Sequence, residues 1–168
     1  MKKYFPPLVA GFAAGVFLIV PVIKNLSCCV IIPFASYLAL FLEMKSQRVI
    51  FEIKVSRGAL IGLLTGLTAA FFATSFDVLI TFITKSNDII LAFNNLPLVM
   101  ENFPFDDSIK QQIVDIFETI VNDIKTFGFS PVYAASMLVN NLFFGFVFGT
   151  IGGMISVPIL NSRLRKEK

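Results

Sequence analysis

The stretch VYAASMLVNNLFFGFVFGTIGGMISVPIL, from Val132 to Leu160, decides the fold, because it runs without one charged residue. A helix that crosses a bilayer needs about 20 mainly apolar residues. Lipid offers no partner to a backbone amide, so such a run is predicted to close its hydrogen bonds internally, as a helix. Three more runs qualify. Residues 7–23 and 26–42 hold no charge, and residues 58–84 hold Asp77 alone. Lys24-Asn25 is the polar break between the first two, which are predicted to form a tight helical hairpin; the alternative is a bent re-entrant pair that does not fully cross. The start of the chain, Lys2-Lys3 before an apolar run, also fits a signal segment. Asn25 stands where a lipoprotein cleavage site wants an aliphatic residue, so an uncleaved helix is expected.

Composition agrees with this reading. Of 168 residues, 56% are hydrophobic and 15% charged, against about 45–50% and 25% in soluble domains. There is no histidine, which removes the commonest metal ligand and general base. No nucleophile therefore has a histidine partner, and no catalytic, cofactor-binding or metal-binding residue is expected. Two cysteines make no disulfide framework.

Charge predicts orientation. The N-terminus, the segment from Glu43 to Arg57 and the tail beyond Leu160 together hold 10 basic and 3 acidic residues. The connection from Lys85 to Pro131 holds 3 basic and 7 acidic ones. The positive-inside rule then puts both termini in the cytoplasm. The basic residues are spread out and read as topology determinants; no nucleic-acid partner is expected.

The segment of about residues 88–128 is expected to lie outside. Asp88 to Leu96 reads as a short helix, a continuation of the third span or a separate piece, stopped by Pro97. Asp106, Asp107 or Ser108 can cap a second helix, and Gly128 suits its far end. Ile109, Ile113, Ile116, Phe117, Ile120, Val121, Ile124 and Phe127 recur at helical spacing, opposite a mostly acidic polar face. That acidity favours packing on protein over attraction to anionic lipid. A structural lid and a docking surface for a partner both remain open.

Two groups of residues stand out. Gly11 and Gly15, then Gly58, Gly62 and Gly66, then Gly145, Gly149 and Gly153 repeat every fourth position. Each set lines one helix face and permits close backbone approach. Packing within the chain, homo-oligomerisation and a sliding transporter interface all fit. The second group is an outer polar cluster of Asp77, Asn140, Asn141, Lys24, Cys28 and Cys29. Asp77 is the one ionisable residue inside a span, but it lies about 30 Å along a helix from Arg57, near the outer interface. A hydrogen-bonded clasp with Asn140, Asn141 or Lys24 is the leading expectation, ahead of an ion or substrate site. Adjacent cysteines close only a strained ring, and no further ligand supports a metal at Cys28-Cys29.

The order of parts is a short glycine-containing hairpin, a basic loop ending in Val-Ser-Arg-Gly-Ala-Leu-Ile-Gly at Val55 to Gly62, a long third span, an acidic amphipathic segment and a glycine-rich last span with a basic tail. It resembles uncharacterised small bacterial four-helix membrane proteins classed as domains of unknown function. Cys28-Cys29 after a proline-containing first span resembles a related group of them. The resemblance implies a bacterial inner membrane but no activity and no site residues. The expected protein is all-α: a single membrane domain, residues 1–168, of four transmembrane helices plus an extracytoplasmic amphipathic helix. Its expected role is non-enzymatic, as a structural, assembly or accessory component packing with itself or a larger membrane complex. The alternative is a small channel or transporter with a polar site around Asp77. The bilayer is the expected surroundings, and no cofactor is expected.

Overall fold

A computed structural model describes residues 5–47, 52–101, 104 and 106–166, with the side chains of 21–28, 47, 97–99, 101 and 166 outside the description. The described structure is all-α: α1 Phe5–Phe17, α2 Pro21–Gln47, α3 Val55–Thr84, α4 Asp88–Glu101, α5 Asp107–Phe127 and α6 Pro131–Lys166. Windows in α2 (Cys29–Ser46), α3 (Val55–Thr84) and α6 (Pro131–Arg165) are long and apolar enough to cross a membrane. The 13 residues of α1 reach only about 20 Å as a helix, short of a hydrocarbon core of about 30 Å.

Several boundaries differ from the sequence reading. The first helix stops at Phe17 and the second starts at Pro21, so the break falls at residues 18–20 and not at Lys24-Asn25. Proline is pre-set for a first helical turn, where its missing N–H is no loss. Pro97 does not stop α4, which continues to Glu101; one missing backbone bond is tolerated there. α3 and α4 are separate helices, because Lys85 takes a left-handed φ of 49°. Glu43 and Arg57, read as loop charges, lie in α2 and α3.

The chain divides into two compact units. One comprises Met1–Phe76 and Leu138–Lys168, the other Asp77–Met137. In the first unit many large apolar side chains point outward and most buried positions are small, with Ile32, Leu40, Ile53, Ile61, Val157 and Leu160 as the larger buried ones. Phe12, Phe34, Leu60, Phe71, Phe143 and Phe146 are exposed, whereas Ala14, Ala35, Ser36, Ala39, Thr65, Ala69 and Ala70 are buried. Water would not tolerate that distribution; lipid does, since packing between spanning helices favours small residues. Buried hydroxyls find backbone partners: Thr65 Oγ1 donates to Ile61 O at 2.8 Å, and Ser156 Oγ to Gly152 O at 2.6 Å.

Close approach is concentrated at glycine. A Cβ built on Gly58, Gly62 or Gly66 in α3 would strike the carbonyl oxygen of Gly153, Gly149 or Gly145 in α6. The two helices therefore run antiparallel in backbone contact. Gly11 of α1 abuts Thr65 and Thr68, and Gly15 abuts Ala69 and Phe72, so α1 runs parallel to α3. Gly152 meets Pro33 of α2.

In the second unit α5 is capped as its sequence predicts. The Asp106 side chain accepts from Asp107 N, and Gly128 takes a φ of 76° while its N–H bonds Ile124 O. A Cβ on Gly128 would stand 2.8 Å from Phe82 O, so both conformation and space require glycine. Lys85 Nζ donates to Thr126 O at 3.1 Å, a cation at the negative end of α5. Ile120, Val121 and Ile124 are buried, whereas Ile109, Ile116 and Phe127 of the same apolar stripe are exposed.

Candidate functional site

The polar residues of the spans fall into separate groups. Asp77, late in α3, accepts a hydrogen bond from the hydroxyl of Tyr133 in the first turn of α6. The Thr81 hydroxyl, one turn along α3, also bonds the tyrosine, and Asp88 lies within electrostatic reach of it. All four belong to the second unit. Tyr133 was not among the expected partners, because an aromatic residue inside an uncharged run reads as apolar. Its position near the start of α6, antiparallel to Asp77 near the end of α3, was the available signal.

The other members of the expected cluster are accounted for separately. Asn141 donates through Nδ2 to Thr74 Oγ1 at 2.9 Å, in the first unit. Asn140 is exposed, and Cys29 is exposed as a free thiol. The side chains of Lys24 and Cys28 lie outside the described residues. Among the described residues no three His, Cys, Asp or Glu side chains are grouped so as to hold a metal ion.

A second polar site was not anticipated. Glu43, near the end of α2, is buried to 3% exposure. Its Oε1 accepts from Arg57 Nη2 at 2.7 Å. A charge is expensive to bury and is retained where an opposite charge answers it. Around this pair the segment before α3 is fastened to α6. Asn161 Oδ1 accepts from Ile53 N at 2.9 Å, and Asn161 Nδ2 donates to Ile53 O at 3.0 Å. The asparagine amide thus pairs with one residue's backbone as a neighbouring strand would. Arg165 completes the tie by a 2.7 Å salt bridge to Glu52.

Two cavities flank the ion pair. One, of about 340 Å³, is lined by Glu43, Met44, Glu52, Ile53, Lys54, Ser56 and Arg57. The other, of about 400 Å³, shares Glu43, Ser56 and Arg57 with it, and its remaining lining is Pro7, Leu60, Ile61 and Leu64. Both lie within the first unit and fall in the usual size range of small-molecule sites, about 300–1,000 Å³.

No protein-family model, curated protein or solved structure matches this chain. The Tyr133–Asp77 contact joins a phenol to a carboxylate, an arrangement suited to fastening two helices. The Glu43–Arg57 contact joins a carboxylate to a guanidinium, an arrangement suited to tying the end of α2 to the start of α3.

Proposed function

We propose that this chain is a non-enzymatic integral membrane protein that works by contact, as a structural, assembly or accessory component of a membrane complex. The observation that carries the reading is the α3–α6 seam, where Gly58, Gly62 and Gly66 meet Gly153, Gly149 and Gly145 without room for a methyl group. No solute path fits between helices in backbone contact. The same contacts occupy the glycine faces within one chain, which leaves exposed phenylalanines, such as Phe143 and Phe146, as the surface available to lipid or to another protein.

In this reading the chain crosses the membrane four times, with both termini cytoplasmic and α5 external. The basic excess at the two ends and in the α2–α3 connection supports that orientation. So does the course of α1, which runs from Pro7, beside Arg57, to Gly15, beside Ala69. A bacterial inner membrane and kinship with small four-helix membrane proteins belong to the same proposal, on the resemblance described above.

The test is ion and small-solute flux across liposomes containing the purified chain. The contact reading expects flux equal to that of empty liposomes. A saturable flux abolished by Asp77→Asn would favour the channel or transporter alternative instead.

A further inference from the structure

We propose that Asn140 is the contact point for a second copy of this chain, its side-chain amide pairing with the same amide of that copy inside the membrane. The inference rests on the contact reading above and names the partner.

Two neighbouring asparagines of α6 are satisfied differently. Asn141 faces α3, where its Nδ2 donates to Thr74 Oγ1 at 2.9 Å. Asn140 stands about 100° around the helix from it. It is exposed and has no hydrogen-bond partner among the described residues. Its surroundings on that face are apolar: Val139 is 67% exposed and Phe143, one turn on, is 64% exposed. Val132, two turns nearer the start of α6, is 48% exposed. The helix is apolar and long enough to cross a membrane, and Asn140 lies about 14 Å along it from Pro131. With apolar side chains exposed both before and after it, the amide is set among lipid tails, which offer it neither a donor nor an acceptor.

Symmetry selects the occupant. Copies of one chain insert the same way round, because the same basic residues orient each of them. A two-fold axis relating two copies then runs along the membrane normal, and every residue keeps its own depth. A residue at that axis meets itself, so the contact must be self-complementary. A lone donor or a lone acceptor fails that condition. A carboxamide meets it, with an oxygen that accepts and an NH2 that donates, and two asparagines exchange two hydrogen bonds. The glycine faces of α3 and α6 are closed against each other, so the face of Val139, Asn140 and Phe143 is the part of α6 left for another copy.

The test is single-molecule photobleaching of the full chain, carrying one dye, in liposomes over a range of protein-to-lipid ratios. Two-step bleaching is expected to rise with protein density as a monomer–dimer equilibrium requires. Asn140→Leu is expected to weaken association about tenfold, roughly the worth of two hydrogen bonds between membrane helices. Asn140→Gln keeps the amide and is expected to stay near the parent. Ser75→Ala, at an exposed position of α3 whose hydroxyl bonds Phe71 O, is expected to leave association unchanged. Asn140 makes no bond within the chain, so leucine there keeps the fold and the comparison stays decisive. Single-step bleaching at every density would overturn the proposal. So would association of Asn140→Leu equal to the parent, or equal losses from Asn140→Leu and Ser75→Ala. Each of these results leaves the contact role standing, since solute flux overturns that role and a monomer does not.

Discussion

Gly62 and Gly149 meet so closely that a Cβ on Gly149 would stand 2.5 Å from the carbonyl oxygen of Gly62. The converse substitution strikes the Gly149 carbonyl. Neither obstacle is the end of a flexible side chain, so neither can swing aside; relief requires the two helices to part.

Gly62→Leu or Gly149→Leu is therefore expected to destabilise the protein by about 3 kcal/mol or more, the upper end of the usual overpacking range. Leu60→Ala, at a half-exposed position, is expected to stay within about 0.5 kcal/mol of the parent. Leu64, one turn further along α3, is partly buried and makes a poorer control. Thermal unfolding in detergent reads the difference. Equal midpoints for the three variants would remove the glycine seam as a source of stability.

The Tyr133–Asp77 hydrogen bond predicts a measurable coupling. Hydrogen bonds between spanning helices give about 0.6 kcal/mol on average and at most about 1.7 in one measured system. Asp77→Asn retains an acceptor for the tyrosine and is expected to be mild. Asp77→Ala and Tyr133→Phe are expected to be non-additive, with a coupling of roughly 1 kcal/mol. Strict additivity in a double-mutant cycle would show that the bond contributes nothing.

The two arginine–carboxylate pairs should differ in worth. Glu52 and Arg165 are 58% and 73% exposed at their side chains, so Arg165→Gln is expected to change stability by less than about 1 kcal/mol. Arg57→Gln takes a hydrogen-bonded partner from a buried carboxylate, and its cost is expected to be clearly larger, even after discounting for the exposure of Arg57 itself. The same unfolding assay checks the order. A larger loss from Arg165→Gln would contradict it.

Orientation is tested by labelling. With Cys28 and Cys29 replaced by alanine, Gln111→Cys is expected to react with an impermeant maleimide added to intact cells, and Ser46→Cys only after the cells are opened. Both positions are exposed, so accessibility within the protein does not decide the result. The reverse pattern would invert the topology.

How far the sequence carried depended on whether each feature is local. Uncharged runs gave helices because lipid leaves the backbone no alternative. Asp106 and Gly128 were legible as the ends of α5 because a cap is written within a few residues. Helix ends in the spans were less legible. Charges were taken to mark the edges of the spans, yet α2 continues through Glu43 to Gln47 and α3 begins at Val55, before Arg57. The proline at 21 opens a helix, whereas the one at 97 fails to close one, and one residue type carries no sign of which it will do. The Glu43–Arg57 site stayed hidden because its members come from opposite ends of a connection and read as topology charges. Tyr133 stayed hidden because its single polar atom disappears into an apolar average.

The central claim is that this chain acts by contact in the membrane. Site-specific photo-crosslinking in native membranes, from probes at Phe143 and Phe146 on the exposed flank of α6, tests it most directly. The account predicts a discrete protein adduct, either a second copy of the chain or one reproducible membrane partner, lost when the same probe is moved to a buried position such as Ala69. Lipid adducts alone from every exposed face, in a preparation that also conducts ions across liposomes, would contradict it.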